Sequence, residues 1–289
     1  MRPRHSTDNW NLFFPQKRKY VPLQTRLSSP RKMKKEDGQD YSFKERVARA
    51  SRENSSRIIL ALDINQGDPE AGLRRARKLL DNTIPNVCGV KIGRQTVLNL
   101  GTNRTIQVTR LVHSRGLPCI VDDKLNDIGS TNNAIADAYF RLGMDALTAN
   151  PFAGWNGGLQ PAFKTAHEKG KGIILLVYMS HKGASEGYGQ TVAEGRLKKP
   201  QYVLFAEKAV KWKADGAVVG ATRPQVVREA KRILGGSVPI YSPGVGAQGG
   251  ELAAALEAGT DYFIIGRSIT ESTAPSRKAE MFADLSMSH

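Results

Sequence analysis

The sequence predicts an α/β protein: a (β/α)8 barrel over residues 41–289, preceded by a basic tail over residues 1–40. Three observations carry this expectation. Short runs that are apolar throughout recur eight times from Arg57 onward, and such runs suit strands of a parallel sheet covered on both faces. Helix-like segments separate the runs, several of them opened by a capping residue or closed by glycine. The residues that end the eight runs are polar and chemically mixed, as befits the strand C-terminal ends where a barrel carries its chemistry. An open doubly wound sheet produces the same local pattern, but eight strand–helix units in roughly 235 residues favour closure into a TIM barrel.

Taken in order, residues 1–40 show no sustained period. They hold Pro3, Pro15, Pro22 and Pro30, with ten Lys/Arg against four Asp/Glu, so they carry +6 of the chain's net +16. This composition reads as a disordered arm, and Met33 within it offers an alternative translation start. Phe43, Val47 and Ala50 then recur at helical spacing over Tyr41–Asn54. The first apolar run, "IILAL" (58–62), ends at Asp63. Asp68-Pro69 opens a helix with Leu73, Ala76 and Leu80 on one face. "CGVKI" (88–92) carries Lys91 within a strand, and "PCIV" (118–121) runs into Asp122, Asp123 and Lys124. A helix beginning near Ser130 carries Ala134, Ile135, Ala138 and Leu142 and stops at Gly143; Gly170, Gly235 and Gly259 stop later ones. "DALTA" (145–149), "GIILLV" (172–177), "GAVVG" (216–220), "VPIY" (238–241) and "YFIIG" (262–266) complete the eight, leading to Asn150, Met179-Ser180, Thr222, Pro243-Gly244 and Gly266-Arg267.

Composition bounds the function. An apolar fraction of 40% and a charged fraction of 24% are ordinary for a soluble globular chain. No apolar run approaches the roughly 18 residues of a membrane span, and the basic N-terminus holds only the short cluster "NLFF", unlike a signal peptide. Cys88 and Cys119 lie in apolar runs, which reads as buried reduced thiols and a cytoplasmic location. The net charge of +16 suits nucleic acid, a membrane surface or an anionic small molecule. Trp10, Phe13, Phe14 and Tyr20 interleave with basic residues and could stack on RNA bases, although charge runs of this kind are ordinarily just solvated.

The stretch "IVDDKLNDIGST" (120–131) places Asp122, Asp123, Lys124 and Asp127 within six positions at a strand end. Buried charges there must be paired or used. Side chains two apart on a strand share a face, so Asp122 and Lys124 point one way. Asp123 points the other way, toward solvent or a helix. Lys91, on the inner face of its strand, reaches the same barrel mouth as Asp122. Charges about 4 Å apart attract by roughly 4 kcal/mol at an effective dielectric near 20, enough to keep lysines charged in a partly dry site. A structural ion network is the competing reading, and Asp63 taken alone also serves as a turn cap. Two glycine-rich segments, "SPGVGAQGG" (242–250) and "IIGRS" (264–268), follow the last two runs. These are the barrel loops that commonly bind phosphate, and Gln248 and Arg267 add side-chain donors.

These residues resemble the orotidine 5′-phosphate decarboxylase family. The resemblance rests on Asp-x-Lys-x-x-Asp at Asp122, Lys124 and Asp127, on "LALD" ending at Asp63, on "VKIG" around Lys91, and on "MSHKGA" (179–184), "SPGVGAQGG" and "GRSI". It runs in order from about Tyr41 through the last strand and excludes the tail. It implies conversion of orotidine 5′-monophosphate to UMP and CO2 in de novo pyrimidine biosynthesis, without cofactor or metal. It further implies a charged tetrad of Lys91, Asp122, Lys124 and Asp127, with Lys124 as proton donor. Asp127 and Thr131 would be shared across a homodimer interface. Asp63 and Lys91 would hold the ribose and Ser180 the pyrimidine. Gln248, Gly266 and Arg267 would take the phosphate, with Pro243 and Gly249 beside them. Residues 181–200, containing Gly183, Gly187, Gly189 and Gly195, would form a mobile lid. Lys182 departs from the proline that many members carry. Magnesium-dependent sugar-phosphate lyases, of the keto-gulonate phosphate decarboxylase and hexulose phosphate synthase types, share Asp-x-Lys-x-x-Asp. They place an acidic metal ligand where this chain has Lys91.

Overall fold

The computed structural model describes residues 41–288 apart from positions 65, 66, 195, 196 and 247. The expectations attached to residues 1–40 (disorder, a start at Met33, RNA stacking) and to Gly195 lie outside the described residues.

Helix α1 (Phe43–Asn54) starts in a capping box, in which Ser42 and Glu45 satisfy each other's backbone N–H. It buries Phe43, Val47 and Ala50, as the spacing predicts. A Cβ on Gly172 would lie 2.6 Å from the Phe43 ring, so α1 packs against the start of the strand at Gly172–Tyr178 and covers the barrel's N-terminal end. The barrel strands are β1 (Ile58–Leu62), β2 (Gly89–Gly93), β3 (Cys119–Leu125), β4 (Ala146–Ala149) and β5 (Gly172–Tyr178), followed by β8 (Gly216–Val219), β9 (Ile240–Pro243) and β10 (Tyr262–Ile265). Each pairs in parallel with its neighbours, and β10 closes on β1. The sheet is therefore closed, not open. Nearly every strand residue is buried, which is why the runs are apolar throughout rather than alternating.

Between the strands run α2 (Pro69–Thr83), α3 (Arg94–Ser114), α4 (Gly129–Arg141), α5 (Gln160–Glu168), α6 (Gln201–Lys211), α7 (Pro224–Leu234), α8 (Leu252–Glu257) and the short α9 (Arg267–Thr270), with α10 (Pro275–Ser286) last. Asp68 caps α2 by accepting from the N–H groups of Glu70 and Ala71, and α2 buries Leu73, Ala76, Leu79 and Leu80. Gly143, Gly170, Gly235 and Gly259 all adopt positive φ at helix ends. Of the apolar residues expected on α4, Ile135 and Leu142 pack against the core. Ala134 and Ala138 are exposed, and Asn132, Ala136 and Phe140 are buried instead. The buried Asn132 is satisfied there: its Nδ2 donates to Asp127 O (2.6 Å) and Gly158 O (3.2 Å). A purely apolar count passes over such a residue. Among the described residues, no helix is long and apolar enough to cross a membrane.

A short turn (Lys182–Glu186) leads to an antiparallel hairpin, β6 (Thr191–Glu194) with β7 (Leu197–Pro200). Ala184 and Tyr188 are buried. The Tyr188 ring packs edge-on against Phe152 and Phe205, and Tyr188 O accepts from Tyr202 N at 2.9 Å. The base of this segment is thus anchored to the barrel.

A device unmarked in the sequence reading repeats at the N-terminal end. Asp145, Asp215 and Asp261 stand just ahead of β4, β8 and β10. Each accepts from the backbone N–H of a residue on the neighbouring strand: Cys119 (2.8 Å), Ile173 (3.0 Å) and Ile240 (2.8 Å) respectively. Each also meets a side chain from an outer helix: His113, His167 and Lys231. Asp145 further engages Arg46 of α1 (3.2 Å) and Lys171 (2.9 Å). Burial alone would raise its pKa, but the hydrogen bond from His113 and the charges of Lys171 and Arg46 hold its carboxyl well below the usual range.

Candidate active site

The C-terminal ends of the barrel strands enclose a cavity of about 310 Å³. Asp63, Lys91, Asp122 and Lys124 line one part of it. The registers Ala61↔Lys91 and Gly93↔Asp122 place these groups side by side on adjacent strands. Lys91 Nζ donates to Asp122 Oδ2 at 3.0 Å and stands 4.0 Å from Asp63 Oδ1. Lys124 Nζ donates to Asp122 Oδ1 at 2.6 Å. Charges therefore alternate in sign from Asp63 to Lys124.

Burial would suppress the Lys91 ammonium, but the carboxylates of Asp122 and Asp63 outweigh it and raise its pKa above that of an ordinary lysine. Burial likewise opposes ionisation of Asp122, but Lys91 and Lys124 together hold its carboxyl well below the usual range. At neutral pH both residues are charged. The cavity thus presents fixed charges whose orientation is set before any ligand arrives.

Lys124 has a left-handed backbone, φ 61°, which costs a non-glycine residue about 1–2 kcal/mol. The β3–β4 register shifts between Val121 and Leu125, so the strand bulges at the lysine. Such strain gathers at functional sites. Asp123 faces outward, as alternation predicts, and of the two expected surroundings, solvent or a helix, it takes the helices, where it is buried. It accepts from Tyr139 Oη at 2.8 Å and lies 3.8 Å from Arg94.

The cavity is further lined by Ser180, Pro243, Gln248, Gly266 and Arg267, with Leu176, Val218 and Ile264 adding apolar surface. Gly244 has φ 98°, and a Cβ there would lie 2.9 Å from Ser180 Cβ, so this turn requires glycine. The loop differs in one respect from the sequence expectation. The N–H groups of Gly246, Gly249 and Gly250 donate to carbonyls within the loop itself. These glycines therefore shape the turn, and Gly249 does not line the cavity. Gln248 and Arg267 supply the side-chain donors at the mouth.

Asp127 and Thr131 do not line the cavity of their own chain either. Asp127 is exposed just ahead of α4, where its Oδ1 accepts from Ile128 N. Sequence reasoning missed Thr148 and Gln95. Thr148 Oγ1 donates to Asp122 Oδ1 at 2.9 Å, and Gln95 Nε2 donates to Asp63 Oδ1 at 3.1 Å. Thr148 carried a usable signal: it is the polar residue inside "DALTA", just as Lys91 is inside "CGVKI".

Residues 56–282 match the model of the orotidine 5′-phosphate decarboxylase / HUMPS family. The chain belongs to this family. A curated orotidine 5′-phosphate decarboxylase from Methanosarcina mazei is 34% identical over 227 residues, covering 78% of this chain and 93% of the relative. Among solved structures, an orotidine 5′-monophosphate decarboxylase from Methanocaldococcus jannaschii, complexed with the inhibitor BMP, superposes with a TM-score of 0.66. It is 27% identical, with 80% of this chain and 98% of that one covered. A UMP synthase from Leishmania donovani gives a TM-score of 0.76 at 25% identity; 85% of this chain matches 56% of its length. The family match spans the barrel from just before β1 into α10, so it includes every strand that contributes to the cavity.

Proposed function

We propose that this family member decarboxylates orotidine 5′-monophosphate to UMP and CO2, the decarboxylation that yields UMP in de novo pyrimidine biosynthesis. The observation that carries the reading is the Asp63–Lys91–Asp122–Lys124 array, which lines the same cavity as Gln248 and Arg267. Gln248 and Arg267 suit a phosphate, and the charged array suits a reaction in which negative charge leaves one atom and grows on its neighbour.

In this mechanism Arg267 and Gln248 bind the phosphate, Ser180 bonds the pyrimidine, and Asp63 and Lys91 hold the ribose. The C6 carboxylate then lies against Asp122, which stays ionised and repels it. The C6–carboxylate bond breaks, CO2 departs, and the electron pair remains on C6. Lys124 stabilises that growing charge and transfers a proton to C6, leaving UMP. Contacts to the distant phosphate supply the binding energy that holds two anions together.

The magnesium-dependent lyases are disfavoured by charge. The Lys91 ammonium stands within 3.0 Å of Asp122 and 4.0 Å of Asp63, and so repels a divalent cation at that position. We further place the enzyme in the cytoplasm, in keeping with Cys88 and Cys119, which are buried and unbridged. We also read it as a homodimer in which Asp127 and Thr131 reach the neighbour's cavity. Supporting this, Asp127 is exposed outside its own cavity, and the adjacent Ile128 is a large apolar residue 63% exposed.

Purified protein mixed with orotidine 5′-monophosphate in excess EDTA should consume the orotate absorbance, whereas a magnesium lyase stops. Lys124→Ala should keep the fold and lose turnover by several orders of magnitude. Undiminished turnover in that variant removes Lys124 from the mechanism. Sedimentation at micromolar concentration tests the dimer, and a monomeric, fully active species rules out the sharing of Asp127.

A further inference from the structure

The carboxylate of Asp122 accepts three hydrogen bonds, and only two come from lysines. Lys91 Nζ binds Oδ2, while Lys124 Nζ and Thr148 Oγ1 both bind Oδ1, at 2.6 and 2.9 Å. Thr148 lies in β4, is 2% exposed, and has a second task. Its Oγ1 accepts from the backbone N–H of Lys124 at 2.9 Å. The sheet itself does not take that N–H, because the β3–β4 register breaks between Val121 and Leu125.

A threonine hydroxyl has one proton to give and lone pairs to receive. Here the proton goes to Asp122 and a lone pair takes the Lys124 N–H, so one oxygen ties the carboxylate to the left-handed backbone of the lysine two residues on. The branched Cβ restricts χ1, which keeps that oxygen in place. We propose that Thr148 is a positioning residue for the proton transfer. It holds the bulge that aims Lys124 into the cavity and fixes the rotamer of Asp122 against which the ammonium rests. The proposal deepens the decarboxylase reading and rests on it.

The test compares wild type with Thr148→Val, which keeps the shape and removes both bonds, and with Thr148→Ser, which keeps the hydroxyl. Turnover of orotidine 5′-monophosphate and affinity for UMP, which lacks the departing carboxylate, are measured for each. Thr148→Val should lower kcat by about 10- to 100-fold, the loss expected for two buried hydrogen bonds at a reacting group. UMP affinity should stay within about threefold, and Thr148→Ser should recover most of the turnover. If the valine variant fails to fold, Thr148→Ala takes its place. The inference is overturned if kcat stays within about twofold, if the loss falls on KM and UMP affinity alone, or if serine is as poor as valine. A crystal structure of the hydroxyl-less variant gives a readout independent of substrate. The Lys124 ammonium should lie beyond the roughly 3.5 Å reach of Asp122. An unmoved ammonium and bulge refute the positioning role. Wild type without turnover refutes the decarboxylase reading instead, and the crystal structure then decides the role of Thr148 alone.

Discussion

Asp145 offers a direct test of the division between a stabilising and a reactive end of this barrel. The residue is 2% exposed. It receives the Cys119 N–H at 2.8 Å, His113 Nε2 at 2.8 Å, Lys171 Nζ at 2.9 Å and Arg46 Nη1 at 3.2 Å. Replacement by alanine leaves a buried N–H without its acceptor and strands Lys171 and Arg46 beside each other without a counter-charge. Removing one partner from a buried ionic network costs about 3–5 kcal/mol. His113 is over a third exposed and adds little to that figure. A domain of this size loses about 2–4 °C of Tm per kcal/mol, so the variant should melt about 6–20 °C lower by calorimetry or circular dichroism. Asp145→Asn, which still accepts from Cys119 but carries no charge, should fall between. The folded-state pKa of Asp145 is depressed. Its stabilisation is therefore fully present above the unfolded carboxyl value near pH 4 and is lost as pH falls toward the folded value. The gap between wild type and Asp145→Asn should narrow below about pH 4. Turnover well below the melting temperature should be unchanged, since Asp145 lies at the opposite end of the barrel from Asp122. A melting temperature within about 2 °C of wild type in the alanine variant, or equal gaps at pH 3 and pH 7, would refute the reasoning.

Three further outcomes are expected. Lys91→Met removes the buried ammonium 3.0 Å from Asp122 and should lower kcat by at least about a hundredfold, as steady-state assays on orotidine 5′-monophosphate will show. Arg267→Ala should raise KM about 10- to 100-fold, from the loss of a charge-assisted bond to phosphate, and inorganic phosphate should become a correspondingly weaker inhibitor. Gly244→Ala forces a side chain onto φ 98° with its Cβ 2.9 Å from that of Ser180. The melting temperature should fall by a few degrees and UMP affinity should drop, both readable in one thermal-shift titration.

Much of the site was legible because its groups violate a local pattern. Lys91 inside an apolar strand and Asp122/Lys124 at a strand end are costly unless used, and period-two alternation puts Asp122 and Lys124 on one face. Thr148 breaks its own strand in the same way, but a hydroxyl is cheaper to bury than an ammonium and so gives a fainter signal. The N–H groups of Gly246, Gly249 and Gly250 illustrate the opposite failure. Glycine content marked a turn, but whether its donors face a ligand or one another depends on the turn's internal bonding. On α4 the apolar count captured Ile135 and Leu142 but not Asn132, a polar residue that is buried because it bonds Asp127 and Gly158.

By itself the sequence determined the eight strands, the caps and stops of several helices, and which charged residues stand at strand ends. These follow from hydrophobic period, capping chemistry and backbone preference, all of which act over a few residues. Only the tertiary structure decided that the sheet closes, that Lys91 meets Asp63 and Asp122 across strand neighbours, and that Lys124 bulges onto Thr148. It also decided that aspartates repeat along the far end of the barrel to tie strands to outer helices. Those outcomes depend on register between segments 21 or more residues apart in the chain, which no local pattern encodes.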